Sequence, residues 1–166
     1  MKPFLATTIL RHRRENLKKC SLRGLESRED LHFLTYPRDP IPFIEGGILL
    51  SLDAPPLSPE DRFPLFLIDG TWKYAAVMER QLPQQENWTR RSLPSHFRTA
   101  YPRKQPDCAD PKRGLASVEA LYIAYHILGY DTSDLLDHYY WKESFLAFNS
   151  RFLSCSTTCP ESVQTS

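Results

Sequence analysis

Apolar residues in the first half of the chain form four short runs, each of the length of a β-strand. The runs cover residues 4–10, 31–36, 47–52 and 64–68. The last two are continuous hydrophobic stretches, which is the pattern of strands that are buried on both faces of a sheet. We therefore expect an α/β fold with a mostly parallel sheet.

The fourth run leads directly into a helical pattern. The chain passes through Gly70 and Thr71, and small and apolar residues then recur at helical intervals from Trp72 onward. Pro83 cannot continue a helix and ends this element. The sequence predicts a strand, a tight turn and a helix over residues 72–82.

The next part of the chain predicts a loop followed by a helix. Residues 84–113 show little periodicity and are rich in Pro, Arg and Gln, which is typical of a long functional loop. From Ala116 to Leu128, apolar residues recur at helical intervals. Gly129 is well placed to end that helix.

An aromatic-rich stretch predicts a second helix, from about residue 134 to residue 153. Thr132 or Ser133 would cap it, and the pattern allows an internal break. With 166 residues, of which 41% are hydrophobic, the chain can fill one compact core. We expect a single domain over residues 1–154 and a flexible tail over 155–166.

The chain shows no signal for a membrane or for secretion. No apolar stretch approaches the roughly 20 residues that are needed to span a bilayer. Near the N-terminus the basic residues follow the apolar run instead of preceding it, unlike a signal peptide. The expected location is cytoplasmic, and no contact with a membrane is expected.

Cysteines are few and irregularly spaced. Cys20, Cys108, Cys155 and Cys159 do not form the disulfide framework of a small secreted domain, so reduced thiols are expected. The only close pair lies in the tail, without the second close pair that a structural zinc site needs. The sequence predicts no metal.

The net charge of +1 conceals two basic segments. Residues 11–28 and 88–113 each contain seven Lys or Arg residues and two Asp or Glu residues. If the two segments meet on one face, they form a surface that attracts phosphates. Two separate solvated loops would have the same composition.

The segment Asp69-Gly-Thr-Trp72 is the first candidate site, because ligands of open α/β sheets bind beyond the carboxyl ends of the strands. Gly70 allows close approach of a ligand, Asp69 can accept hydrogen bonds, and Trp72 offers a flat wall. Plain structural roles fit the same residues: Asp69 or Thr71 as the helix cap, and Trp72 as part of the core.

Two other segments carry candidate chemistry. Ser117 and Glu119 fall in the first turn of a predicted helix, where Glu119 either takes part in the reaction or only complements the helix dipole. Ser21 lies in a basic stretch near the N-terminus and is a candidate ligand contact. Its neighbours Lys18, Lys19 and Arg23 are candidates for holding phosphates, although a basic surface turn has the same composition.

Seven short motifs occur in one order along nearly the whole chain. They are Lys19-Cys-Ser21, Gly47-Ile-Leu-Leu50, Leu57-Ser-Pro-Glu-Asp-Arg62, Asp69-Gly-Thr-Trp72, Arg91-Ser-Leu-Pro94, Ser117-Val-Glu-Ala120, and the Trp-x-x-x-Phe-Leu-x-x-Asn pattern from Trp141 to Asn149. In this order they resemble the small-subunit ribosomal RNA aminocarboxypropyl (acp) transferases, which are related to the DTW-domain transfer RNA enzymes.

The resemblance implies a SPOUT-type α/β fold, with a C-terminal trefoil knot that holds S-adenosylmethionine (SAM). Trp72 and Ala75 would enclose the methyl group of SAM, so that a nucleophile reaches only the acp carbon next to the sulfonium. The residues expected to contact SAM are Ser21, Leu50, Leu52, Asp69, Trp72, Ala75, Leu115 and Ser117.

The implied nucleophile is N3 of a uridine or pseudouridine in ribosomal RNA, which loses a proton as it attacks. Glu119 and Asp69 are the candidate general bases, with Glu119 slightly preferred. The target base must leave its stack or lie in single-stranded RNA. The cations expected to hold RNA are Lys18, Lys19, Arg23, Arg91, Arg98, Arg103 and Lys104.

The chain also departs from the family pattern. Leu22 stands where a glycine is usual, and the Asp-Gly-Thr-Trp form of the central motif is closer to the DTW relatives. A transfer RNA acp-transferase is therefore the nearest alternative. A SPOUT methyltransferase and a noncatalytic RNA-binding assembly factor are further alternatives. For the preferred function we expect a monomer that acts on a precursor of the small ribosomal subunit.

Overall fold

The computed structural model describes residues 6–62, 64–102 and 114–154. Five strands and three helices follow one another along these residues. The strands are β1 (Thr7–His12), β2 (Leu31–Tyr36), β3 (Ile48–Leu50), β4 (Leu65–Asp69) and β5 (Thr89–Arg91), and the helices are α1 (Trp72–Arg80), α2 (Ser117–Leu128) and α3 (Lys142–Leu153). The strands form one sheet in the order β2-β1-β4-β3-β5, and all neighbours are parallel. This confirms the predicted α/β class with a parallel sheet.

Residues with alternate orientations along the central strands build a core on both faces of the sheet. Ile9 and Leu65 belong to one hydrophobic cluster, and their neighbours Leu10 and Phe66 belong to another. Because successive side chains of a strand point to opposite faces, a continuous apolar run buries both of them. The first cluster includes residues of α2 and α3, and the second includes Met78 of α1.

Strand β1 extends past its apolar residues. The predicted strand ended at Leu10, but the observed strand continues through Arg11 and His12, and both are buried. Arg11 pairs in register with Asp69 of β4, and its Nε donates to Oδ2 of that carboxylate. A partnered charge can be buried within a strand, and hydrophobicity alone could not indicate this partner.

Strand β5 lies inside the segment that was predicted to be a loop. Its three residues, Thr89–Arg91, pair with β3 at the edge of the sheet. None of the three is hydrophobic, so the sequence pattern gave no strand signal. Residues 103–113 of the predicted loop lie outside the described residues.

Helix α2 matches its prediction closely. It runs over Ser117–Leu128, and Gly129 follows with a φ of 75°. Glycine adopts this left-handed conformation without the strain of a side chain, so it ends the helix as expected. Within the core, the hydroxyl groups of Tyr125 and Thr7 lie 2.8 Å apart and tie α2 to β1.

The last helix is shorter than predicted. It starts at Lys142, so the prediction of a helix from about residue 134 with a cap at Thr132 or Ser133 is wrong. Residues 133–138 form turns that contact Gly24, where an added Cβ would lie 2.3 Å from the ring of His138. Leu135 and Leu136 are buried within these turns, at the place where the predicted helix would have begun.

Within the described ranges, no helix is both long enough and apolar enough to cross a bilayer. The predicted tail, residues 155–166, lies outside the described residues, as do three of the four cysteines.

Replacing Phe145 by alanine should lower the free energy of unfolding by about 3–5 kcal/mol, because its fully buried ring would leave a cavity. Phe148 lies on the same helix but is 59% exposed, so Phe148→Ala should change stability by only about 0.5 kcal/mol. Urea unfolding of both variants measures the difference. Equal effects of the two substitutions would contradict the packing of α3.

Candidate functional site

A cleft of about 390 Å³ opens at the carboxyl edge of the sheet. It is bounded by the segments that follow β3, β4 and β5, and by α1 and the first turn of α2. Its lining residues are Leu50, Ser51, Leu52, Asp53, Leu67, Ile68, Gly70, Ala75, Glu79, Ser92, Leu93, Pro94, Ser95, Phe97, Leu115, Ser117 and Ala120. Parallel strands end at the same edge, so distant segments of the chain meet there.

Five of the residues predicted to contact a cofactor lie together in this lining. They are Leu50, Leu52, Ala75, Leu115 and Ser117. They come from three separate segments, so their meeting follows from the fold and not from sequence spacing. Trp72 begins α1, but its side chain lies outside what the structure describes.

Asp69 lies behind the cleft wall and joins three elements. The side chain is buried and accepts hydrogen bonds from Arg11 Nε at 3.3 Å, Cys20 Sγ at 3.3 Å and Ser117 Oγ at 2.7 Å. Thr71 precedes α1, and the carboxylate of Asp69 is directed to these three donors instead of capping that helix. The structural alternative of a helix cap therefore does not describe Asp69.

The thiol of Cys20 is part of the same network. Burial, together with the negative charge of Asp69, raises the pKa of Cys20 to about 12. The thiol therefore keeps its proton at neutral pH, and its S–H group donates a hydrogen bond to Asp69. Nη2 of Arg11 is buried and has no hydrogen-bond partner among the described residues.

The direction of the hydrogen bond between Ser117 and Asp69 is fixed by the carboxylate. An ionised carboxylate can only accept hydrogen bonds, so the hydroxyl of Ser117 donates its single proton to Asp69. The oxygen of Ser117 then offers only lone pairs to the cleft that it lines. A ligand group at this position must be a hydrogen-bond donor.

Ser21 supports α2 and is not among the residues that line the cleft. Its hydroxyl accepts a hydrogen bond from the backbone N–H of Val118 at 3.1 Å. The first backbone N–H groups of a helix have no partner within the helix, and Ser21 supplies one from another segment.

Glu119 has a structural setting. It is fully buried, and its carboxylate accepts hydrogen bonds from Thr99 Oγ1 at 2.7 Å, Ala100 N at 2.8 Å and Ala116 N at 2.7 Å. These donors fix the segment before residue 103 against the start of α2. The arrangement favours a positioning role for Glu119 over that of the preferred general base.

The predicted RNA-binding cations do not share one environment. Lys18, Lys19 and Arg23 are exposed in the segment between β1 and β2, and Arg98 is also exposed. Arg91 is half-buried and forms an ion pair with Asp61, with Nε 3.3 Å from Oδ2. Arg103 and Lys104 lie outside the described residues.

One group of possible metal ligands is present among the described residues. Donor atoms of Glu15, Cys20 and Asp69 lie within 4.8 Å of one another. The thiol of Cys20 itself donates to the carboxylate of Asp69, with 3.3 Å between Sγ and Oδ2. Arg11 and Ser117 donate hydrogen bonds to the two carboxylate oxygens of Asp69, so Asp69 and its donors form a hydrogen-bond network.

Sequence reasoning missed several residues of the site. Arg11 gave a signal, since it is a charge next to the apolar run of a strand. Phe97 and Glu79 also line the cleft, without any distinctive sequence context. Asn149 was noticed only as part of a motif, and it holds the backbone of Arg98 through two hydrogen bonds.

Replacing Glu119 by glutamine should destabilise the protein by about 1–3 kcal/mol, because the new amide group would face a buried donor. Glu143→Gln is the control, since Glu143 is exposed in the first turn of α3. Urea unfolding at neutral pH compares the two variants. Unchanged stability of Glu119→Gln would contradict the positioning role.

Comparisons with known proteins show the fold. No family model and no curated protein matches the sequence. Among solved structures, the chain is similar to the SAM-dependent rRNA:acp-transferase Tsr3 from Vulcanisaeta distributa, with 24% identity and a TM-score of 0.70. The match covers 91% of this chain and 82% of that chain. This chain therefore has the fold of Tsr3 over 91% of its length.

Proposed function

We propose that this protein transfers the acp group of SAM to N3 of a uridine or pseudouridine in ribosomal RNA. The observation that carries the proposal is the cleft, which gathers Leu50, Leu52, Ala75, Leu115 and Ser117 at the carboxyl edge of the sheet. The shared fold with Tsr3, a SAM-dependent rRNA:acp-transferase, supports the same reading.

The size and charge of the cleft fit SAM. A volume of about 390 Å³ lies within the range of sites for small molecules. Among the described residues, its charged lining residues are Asp53 and Glu79, which are both acidic, although Glu79 also pairs with Arg90. SAM carries a sulfonium group, an ammonium group and one carboxylate, so its net charge is positive. A cationic ligand of this kind suits an acidic lining better than an anionic ligand such as a phosphate.

The lining divides into an apolar and a polar part. Leu50 and Leu52 offer an apolar wall for adenine, and Ser117 offers a hydrogen-bond acceptor. An ammonium group is a donor without acceptor capacity, so the amino group of SAM fits the oxygen of Ser117. Arg11 and Cys20 act through Asp69, since they hold the carboxylate that fixes this serine.

The transfer is a substitution at carbon. SAM supplies a positively charged sulfur that activates the carbons bonded to it. A bond forms from N3 of the base to the acp carbon, and the bond from that carbon to sulfur breaks. Sulfur leaves as a neutral thioether, and the N3 proton passes to solvent water. The residues described above contribute by holding the reactants in line.

Ala75 bears on which carbon is transferred. It lines the cleft one helical turn after the start of α1. A wall at this position that covers the methyl group leaves the acp carbon exposed to the incoming base. The resemblance assigns this role to Ala75 together with Trp72.

Several finer points belong to the same proposal. They are the relationship to SPOUT and DTW proteins, a C-terminal trefoil knot, a monomeric state, a cytoplasmic location and action on a precursor of the small ribosomal subunit. The ordered set of motifs supports all of them except the location, which is the expectation from the hydrophobic pattern of the sequence.

Ala75→Leu should weaken SAM binding by at least about tenfold, because the larger side chain occupies the cleft. Ala76→Leu is the matched control, since Ala76 is the next residue of α1 and is exposed. Isothermal titration calorimetry with SAM measures both affinities, and thermal unfolding checks that both variants fold. Equal SAM affinity of the two variants would place the cofactor elsewhere.

The proposed activity can be tested in cells that lack the protein. Mass spectrometry of nucleosides from purified ribosomal RNA should show loss of an acp-modified uridine or pseudouridine, and the wild-type gene should restore it. Ala75→Leu should not restore it, whereas Ala76→Leu should. Loss of an acp nucleoside from transfer RNA alone would overturn the choice of ribosomal RNA, and unchanged nucleosides in both would overturn the activity.

A further inference from the structure

Alternate side chains of residues 95–98 face two different clefts. Ser95 and Phe97 line the cleft described above, whereas His96 and Arg98 line a second one. The second cleft has a volume of about 430 Å³ and is completed by α3. Its lining residues are His96, Arg98, Ala147, Phe148, Ser150, Arg151 and Phe152. One short segment therefore forms the shared wall of both clefts.

The second cleft is basic. Arg98 and Arg151 are both exposed, and the lining formed by the described residues contains no carboxylate. Neither guanidinium forms an ion pair within the described ranges, in contrast to Arg90 and Arg91, which pair with Glu79 and Asp61. The first cleft differs, because the charged residues of its described lining are acidic and one of them, Glu79, is paired with Arg90.

Aromatic rings accompany these cations. Phe148 is 59% exposed at the edge of the cleft. The ring of His96 packs on Phe152 with 4.0 Å between centroids, and partial burial lowers the pKa of His96. Cations beside exposed rings are typical of surfaces that bind single-stranded nucleic acids.

The position of Arg98 is fixed by a buried amide. Asn149 is fully buried, and its Oδ1 accepts from the backbone N–H of Arg98 at 2.8 Å. Its Nδ2 donates to the carbonyl of Arg98 at 2.9 Å and to that of Phe145 at 2.9 Å. Asn149 thus holds the wall between the clefts against α3, so little ordering of the backbone is needed when a ligand binds.

We propose that the second cleft binds the phosphodiester backbone of the substrate RNA beside the target nucleotide. Arg98 and Arg151 contact phosphates, and a base stacks on the exposed ring of Phe148. This inference rests on the proposed function, because the adjacent cleft supplies the reason for RNA at this place. An acidic protein segment would suit the arginines but would not use the exposed ring.

The test uses the double variant Arg98→Gln with Arg151→Gln and a fluorescein-labelled oligouridylate. Fluorescence anisotropy over a range of salt concentrations gives the slope of log affinity against log salt. Each lost phosphate contact on single-stranded RNA should reduce this slope by about 0.7, so the double variant should lose about 1.4. The affinity for SAM should stay unchanged, which also shows that the variant is folded.

Two further variants distinguish a specific effect of Arg98 and Arg151 from a general effect of positive charge. Arg38→Gln with Arg80→Gln removes two exposed cations from other elements and should leave most of the slope intact. Arg98→Lys with Arg151→Lys keeps the charge and should retain most of the affinity for the RNA. An equal loss in the Arg38 and Arg80 variant would show a general charge effect and overturn the proposal.

Other outcomes also decide the matter. An unchanged slope in the Arg98 and Arg151 glutamine variant would overturn the proposal even if the protein transfers acp groups. Polyglutamate that competes with the RNA and loses affinity in the same variant would assign the cleft to acidic proteins instead. A reduced slope in a protein without any acp transfer would support the RNA site while the proposed function fails.

Discussion

The carboxylate of Asp69 is the charge around which the carboxyl edge of the sheet is assembled. It accepts hydrogen bonds from Arg11 of β1, from Cys20 in the following segment and from Ser117 of α2. Without it, the guanidinium of Arg11 would be a buried charge without its main partner, which is strongly unfavourable. The same carboxylate that pairs with Arg11 of the strand therefore also sets the direction of the Ser117 hydroxyl in the cleft.

Two other buried polar side chains hold the far wall of the cleft. The carboxylate of Glu119 accepts hydrogen bonds from residues 99 and 100. The amide of Asn149 forms hydrogen bonds with both the backbone N–H and the backbone carbonyl of residue 98. Segments without regular secondary structure must satisfy their backbone polar groups in this way when they are packed against helices. Residues of this segment line both clefts, so its fixed position sets where one cleft lies relative to the other.

The sequence predicted those features that depend on local periodicity. The span of β2 matched the strand signal of residues 31–36, and α2 with Gly129 matched the helical spacing and its glycine stop. Strand β5 could not be predicted, because its stability comes from pairing with β3 and not from its own residues. The turns before α3 were also missed, since their packing on Gly24 is a contact between distant segments.

The candidate site was predictable in part. Motifs singled out Leu50, Ala75 and Ser117, and the parallel sheet brings them to one edge. The role of Glu119 could not be read from its place in a first helical turn, because its partners Thr99 and Ala100 lie in a different segment. Arg11 could be linked to Asp69 only once the register of β1 and β4 was known.

The central claim is that SAM in this cleft gives up its acp group and not its methyl group. The most direct measurement incubates the protein and ribosomal RNA from cells that lack it with two batches of SAM, one labelled in the methyl group and one in the carboxyl carbon. The account predicts that label enters the RNA only from the carboxyl-labelled batch. Label that enters only from the methyl-labelled batch would show methylation and contradict the account.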